Sequence, residues 1–144
     1  MDLRNSVPRS PFAELQGFVW LPRMIDKARA TAAGTQGEYH YDCPLDQKFL
    51  AFYGLSAADF LDEIKTGATD GQLVKYVQDH ALPHSAEEVH QFKVALLDTP
   101  PADPEKLAYL KEYQQRVAPG RTDLTSFARV IAVEENHPLP ISVG

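Results

Sequence analysis

The sequence predicts an all-α fold: a compact single-domain bundle of about six or seven short helices, with an irregular N-terminal arm and an extended C-terminal tail. Three observations carry that prediction. Apolar residues recur at three- and four-residue intervals through most of the chain. Capping residues, prolines and glycines bracket those runs. No stretch alternates apolar and polar residues for long enough to argue a sheet. A chain of 144 residues fits one hydrophobic core, and 44% hydrophobic with 24% charged residues gives it enough apolar surface to offset the entropy of ordering.

Residues 1–20 read as the arm, because Pro8 and Pro11 interrupt any early helix; Phe12, Leu15, Phe18, Val19 and Trp20 are its expected anchors on the core. The first helix opens at Pro22, carries Leu21, Met24, Ile25, Ala28 and Ala32 on one face, and stops at Gly34. Its other face holds Arg23, Asp26, Lys27 and Arg29 at separations that let them touch, as a salt-bridged exterior would. Pro44 opens a second helix with Leu45, Phe49, Phe52 and Tyr53 inward and Gly54 at its end. Ser56 caps a third, with Ala57, Phe60, Leu61 and Ile64 in period, closed by Gly67.

Thr69 with Gln72, and Ser85 with Glu88, are capping boxes ahead of Leu73, Val74, Tyr76 and Val77 and of Val89, Phe92, Leu96 and Leu97. Asp103 caps a helix carrying Leu107, Leu110, Tyr113 and Val117, stopped at Pro119 and Gly120. A last helix is expected from near Thr122, with Leu124, Phe127, Ala128 and Ile131 on its face; the β-branched run VIAV leaves a short strand open as the alternative. The tail, residues 137–144, has two prolines and should be extended, lying on the domain or reaching a second copy.

Composition narrows the function. A net charge of −6 and a pI near 5.3 disfavour binding to phosphate backbones, so nucleic acid is not an expected partner. No apolar run approaches the ~20 residues a membrane-spanning helix needs, so no membrane role is expected. One cysteine forms no internal disulfide and the N-terminus lacks an apolar leader, which together suggest a cytoplasmic protein. Yet residues 1–34 carry five Lys or Arg against three acids, while the remainder is strongly acidic. Arg4, Arg9, Arg23, Lys27 and Arg29 therefore form a candidate basic patch.

The chemically richest stretch is GTQGEYHYDCPLDQ, residues 34–47. Glu38 and His40 are candidate acid or base groups, and Cys43, next to Pro44, stands where a helix N-terminus can activate a thiol or where a small side chain simply packs. Arg23, Lys27 and Arg29 are candidate anion anchors, with Tyr39 and Tyr41 as covers for an apolar or planar part of the same ligand. The competing reading has Arg23 and Lys27 pairing with Glu38, Asp42 or Asp46 to clamp loop to helix. His40 and Cys43 do not make a zinc signature, and Pro83 breaks the helical relation of His80 and His84, so no metal or cofactor is expected. No glycine-rich nucleotide loop, nucleophile elbow or helical zinc-protease motif occurs.

GFVWLPRMIDKARATAAGTQGEYHYDCPLDQKFLAFYGL, through Leu21, Pro22, Arg23, Asp26, Lys27, Ala28, Arg29, Gly34, Glu38, Tyr39 and Cys43, resembles the uncharacterised bacterial family catalogued as domain of unknown function 5069. The resemblance implies a small soluble bacterial domain and carries no activity. The expected role is a helical binding or interaction domain whose face is the helix from Pro22 with the loop 34–47. Its expected occupant is an anionic small molecule or a protein partner, a homodimer included. The alternative is a small enzyme on an anionic metabolite, with Glu38 or His40 as acid or base and Arg23 or Lys27 as anchor.

Overall fold

A computed structural model describes residues 1–143. Length suggests one domain; the contacts group into two compact units, Met1–His84 and a second from Ser85 onward. The first holds a two-stranded hairpin, β1 (Glu14–Leu15) and β2 (Phe18–Val19), then α1 (Leu21–Ala33), α2 (Pro44–Tyr53), α3 (Ala57–Lys65) and α4 (Asp70–His80). The second holds α5 (Ala86–Leu97), α6 (Pro104–Val117) and α7 (Phe127–Glu134).

The helix starts follow the capping chemistry. The Ser56, Thr69 and Ser85 hydroxyls accept the N–H of Asp59, Gln72 and Glu88, and Asp103 accepts that of Glu105. Gln72 and Glu88 complete their boxes by accepting the backbone N–H of Thr69 and Ser85. The last helix departs from expectation at its start: Ser126, not a residue near Thr122, is the cap, and VIAV lies inside α7. Leu124 is buried in the turn before it. Helical hydrogen bonding to the neighbouring turns thus overrides the strand preference of a four-residue β-branched run.

The arm is less irregular than its prolines suggest. Glu14 pairs with Val19 and Leu15 with Phe18, joined by Gln16 and Gly17, both at positive φ (51° and 83°). Two such residues make the hairpin turn whose twist matches paired strands. Leu3, Pro8, Pro11, Val19 and Trp20 are buried, so the arm packs.

Within the first unit α1 packs on α3 and on the hairpin, and every residue from Leu21 to Ala28 is buried. This corrects the salt-bridged exterior expected for Arg23, Asp26 and Lys27: at 4%, 2% and 3% exposure they lie inside. Periodicity marks the apolar face of a helix but does not reveal that other segments cover its polar face as well. The carboxyl end of α2 carries a ring cluster in which Phe18, Phe49 and Phe52 surround Tyr53 at 4.8–5.2 Å and His84 stacks on Phe52 at 3.7 Å. Gly54, at φ 67°, lies under Leu82 with no room for a Cβ, which would sit 2.7 Å from Leu82 Cγ.

In the second unit α7 packs on α5 and α6. Leu110, Leu124 and Val130 form its core, with Tyr113, Val117, Phe127, Val133 and Leu139 against them. The tail touches this unit at two points: Leu139 joins the cluster, and the Pro140 carbonyl accepts a hydrogen bond from Arg129, while Gly144, the last residue of the expected tail, lies outside the described residues.

Candidate functional site

The polar face of α1 is organised around two carboxylates. Asp46, fully buried on the first turn of α2, accepts four hydrogen bonds. Its Oδ1 takes the Trp20 indole N–H at 2.7 Å; its Oδ2 takes Lys27 Nζ at 2.8 Å and the backbone N–H of Asp42 and Cys43 at 3.0 and 3.2 Å. One side chain thus joins the arm, α1, the loop 34–43 and the start of α2. Cys43 is the N-cap of α2 and the Asp46 bond to its amide is half of a capping box.

The second centre is Asp26, which receives the Arg9 backbone N–H at 2.8 Å and two guanidinium bonds of 3.1 Å each. Arg9 continues to Asp70 at 2.8 Å, and Asp70 also receives Arg29 at 2.9 Å. Arg29 bonds the Ala68 carbonyl at 3.0 Å. The hydrogen bond from Arg9 holds the Asp70 carboxyl below its ordinary range. This chain of ions ties arm, α1 and the start of α4 together.

Arg23 is held in a third way. Its guanidinium lies 5.7 Å from the ring centroids of both Trp20 and Tyr39, and it donates to the Arg9 carbonyl at 3.3 Å. Trp20, immediately before α1, has φ 70° and ψ −25°. For a bulky side chain that left-handed geometry costs about 1–3 kcal/mol and persists only where the surroundings impose it. The indole bond to Asp46 and the two cations over the ring, Arg23 and Lys27, are those surroundings.

The sequence-derived candidates therefore divide. Lys27 is bonded to Asp46, as the clamp reading had it, and also donates to Cys43 Sγ at 3.1 Å. Arg29 belongs to the Asp70 chain. Tyr41 packs: its hydroxyl donates to the Ala57 carbonyl at 2.7 Å, its ring stacks on Phe60, and burial pushes its pKa well up. Glu38 and His40 are exposed, and Tyr39 and Cys43 are half-buried. His80 stacks on Tyr76 and bonds its carbonyl, whereas His84 bonds the Phe52 carbonyl. Among the described residues no group of three or more His, Cys, Asp or Glu side chains is placed to hold a metal.

Sequence reasoning did not single out Asp70, and treated Arg9 only as one basic residue among several. Asp70 lies 44 positions from Asp26, so no local spacing links them; the one usable signal was its place in the first turn of a capped helix.

The family described as Domain of unknown function (DUF5069) matches residues 5–137, which include every residue of both carboxylate centres. The chain belongs to that family. No curated protein matches it. No helix among the described residues is long and apolar enough to cross a membrane.

Proposed function

We propose that this member of the family is a binding domain whose functional face is the outward side of the loop 34–47 where it crosses α1. The observation that carries the reading is the contrast across that loop. Outside, Glu38 and His40 are exposed and Tyr39 is half-exposed; underneath, the loop is anchored by a fully bonded buried carboxylate. A buried ion pair is a weak source of stability, because desolvation offsets much of its Coulomb energy, but it fixes geometry. Versatile side chains on a loop held by a rigid support are the usual build of a recognition surface.

The occupant in this reading is a small organic anion or a protein, a second copy included, rather than nucleic acid, which the charge of −6 disfavours. The half-buried lone thiol of Cys43 suits a reducing, cytoplasmic compartment, and a bacterial one is the natural setting for the resemblance. A thermal-shift screen of anionic metabolites tests the reading: a ligand at a hundred times its Kd stabilises by about 2.7 kcal/mol. Tyr39→Ala with His40→Ala should abolish that shift, and should lower the unliganded melting temperature only by the share that the Tyr39 ring contributes beside Arg23. A shift that survives both substitutions places the ligand elsewhere and ends the proposal.

One contact favours a second reading, a small enzyme acting on an anionic metabolite with Glu38 or His40 as acid or base. Lys27 donates to the sulfur of the half-buried Cys43 at the start of α2, and an ammonium beside an accessible thiol at a helix N-terminus is the setting in which nucleophilic cysteines occur. Maleimide labelling decides it, since Cys43 is the only cysteine. Labelling of the folded chain no faster than that of an exposed model thiol argues against a nucleophile.

A further inference from the structure

The second unit contains a cleft of about 380 Å³ whose lining includes Leu107, Leu110, Leu124, Lys111 and Arg121. Its volume lies within the ~300–1,000 Å³ typical of small-molecule sites. Leu110 and Leu124 are fixed members of the core cluster, so the apolar floor is preformed. The apolar surface comes from Leu and Pro, with no aromatic ring in the lining, which suits a flexible aliphatic body better than a planar one.

The charged groups of the cleft are of one kind. Lys111 makes no ion pair among the described residues, and the Thr122 hydroxyl is likewise uncommitted. Arg121 is bound to Asp123 at 2.6 Å, but both are exposed, so that pair exchanges readily for another anion. Gln114 is spent on the Ala118 carbonyl and on Gln115. The lining contains two cations and no carboxylate. In a chain of net charge −6, such a mouth over an aliphatic floor is complementary to a single anionic head on an aliphatic tail.

We propose that this cleft binds a medium-chain acyl carboxylate, its tail over Leu107, Leu110 and Leu124 and its head between Lys111 and Arg121. The site is separate from the loop 34–47 and does not depend on the function proposed for that loop.

Octanoate is the probe and octanol its neutral analogue, each titrated into the full chain and followed by calorimetry and by amide shifts of α6. Octanoate should bind saturably at one site per chain. Lys111→Glu with Arg121→Glu should weaken octanoate by about tenfold or more, the loss of charge-assisted contacts, and leave octanol binding unchanged. Leu107→Trp should fill the cleft and abolish binding of both, with an unaltered far-UV spectrum as the check on folding. Tyr39→Ala with His40→Ala should leave octanoate binding untouched. The proposal is overturned if octanoate does not saturate, if charge reversal leaves its affinity unchanged, or if the Leu107→Trp chain still binds it. It is also overturned if the cleft is closed by concentration-dependent self-association that octanoate does not reverse.

Discussion

The two units hold themselves together by different means. In Met1–His84 the central helix α1 is buried on its charged side as well as its apolar side, and Arg23, Asp26, Lys27 and Asp46 lie in the interior. In the unit from Ser85 onward the core cluster is aliphatic with partly buried aromatic rings against it; Arg129 is buried there too, but its partner Asp98 is partly exposed. Apolar packing is non-directional and tolerates adjustment, whereas a buried ion network works only if every partner is present. The first unit is therefore the more sharply specified and the more easily broken by a single polar substitution.

The comparison can be broken at Asp46. Asp46→Ala leaves the Lys27 ammonium, the Trp20 indole N–H and two backbone N–H groups unsatisfied in the interior, and should destabilise by about 3–5 kcal/mol. Trp20 is the only tryptophan and lies in the first unit, so denaturation followed by its fluorescence reads that unit. Replacing both charges, with Lys27→Met and Asp46→Leu, should recover the part of the loss that comes from the unpaired ammonium, and leave the part that comes from the Trp20 indole and the two backbone N–H groups. A double variant as unstable as Asp46→Ala would mean that the bonds from the indole and the loop N–H groups, not the ion pair, carry the effect.

In the second unit the matching probe is apolar. Leu110→Ala should cost about 2–5 kcal/mol through the cavity it leaves. Read by far-UV circular dichroism, it should not shift the Trp20 transition if the units unfold separately, and should shift it equally if they unfold together.

Smaller effects sharpen the picture. Arg9→Ala removes the bonds to Asp26 and Asp70 that hold the arm and should cost about 1–3 kcal/mol, with faster proteolysis before Glu14 as the sign that the arm has loosened. Asp70 gives that chain of ions a pH dependence. Its folded pKa is below the ordinary 3.8, so its stabilisation is complete above that value and is lost as pH falls through the lower folded one. Asp70→Asn should therefore flatten the fall in stability as pH drops through and below the ordinary carboxylate value, measured by urea unfolding. Tyr41→Phe, which forfeits the bond to Ala57, should cost about 0.5–1.5 kcal/mol. Its hydroxyl should remain protonated where exposed tyrosines ionise, because burial raises its pKa.

Much of the fold is legible in the residues themselves. Thr69 with Gln72, Ser85 with Glu88, Ser56 and Asp103 start helices because a hydroxyl or carboxylate satisfies amides that lie within three residues of it. The hairpin at Gln16 and Gly17 escaped notice because its strands are two residues each, too short for alternation to register, and glutamine is not a usual positive-φ residue. At the candidate site, position in the chain indicated that α1 and the loop 34–47 belong together, and that Cys43 begins a helix. It did not distinguish Lys27, spent on Asp46, from an anion anchor, since that depends on which carboxylate the fold delivers.

The sequence by itself determined the helical class, most helix starts and the family, because these depend on periods, caps and motifs that span short stretches of chain. Only the tertiary structure decided that the charges of α1 are interior, that Arg9 reaches Asp26 and Asp70, and that a cleft opens between α6 and the turn before α7. Those facts depend on distances between residues far apart in the chain. No local propensity encodes them; they follow from how the packed segments cover one another.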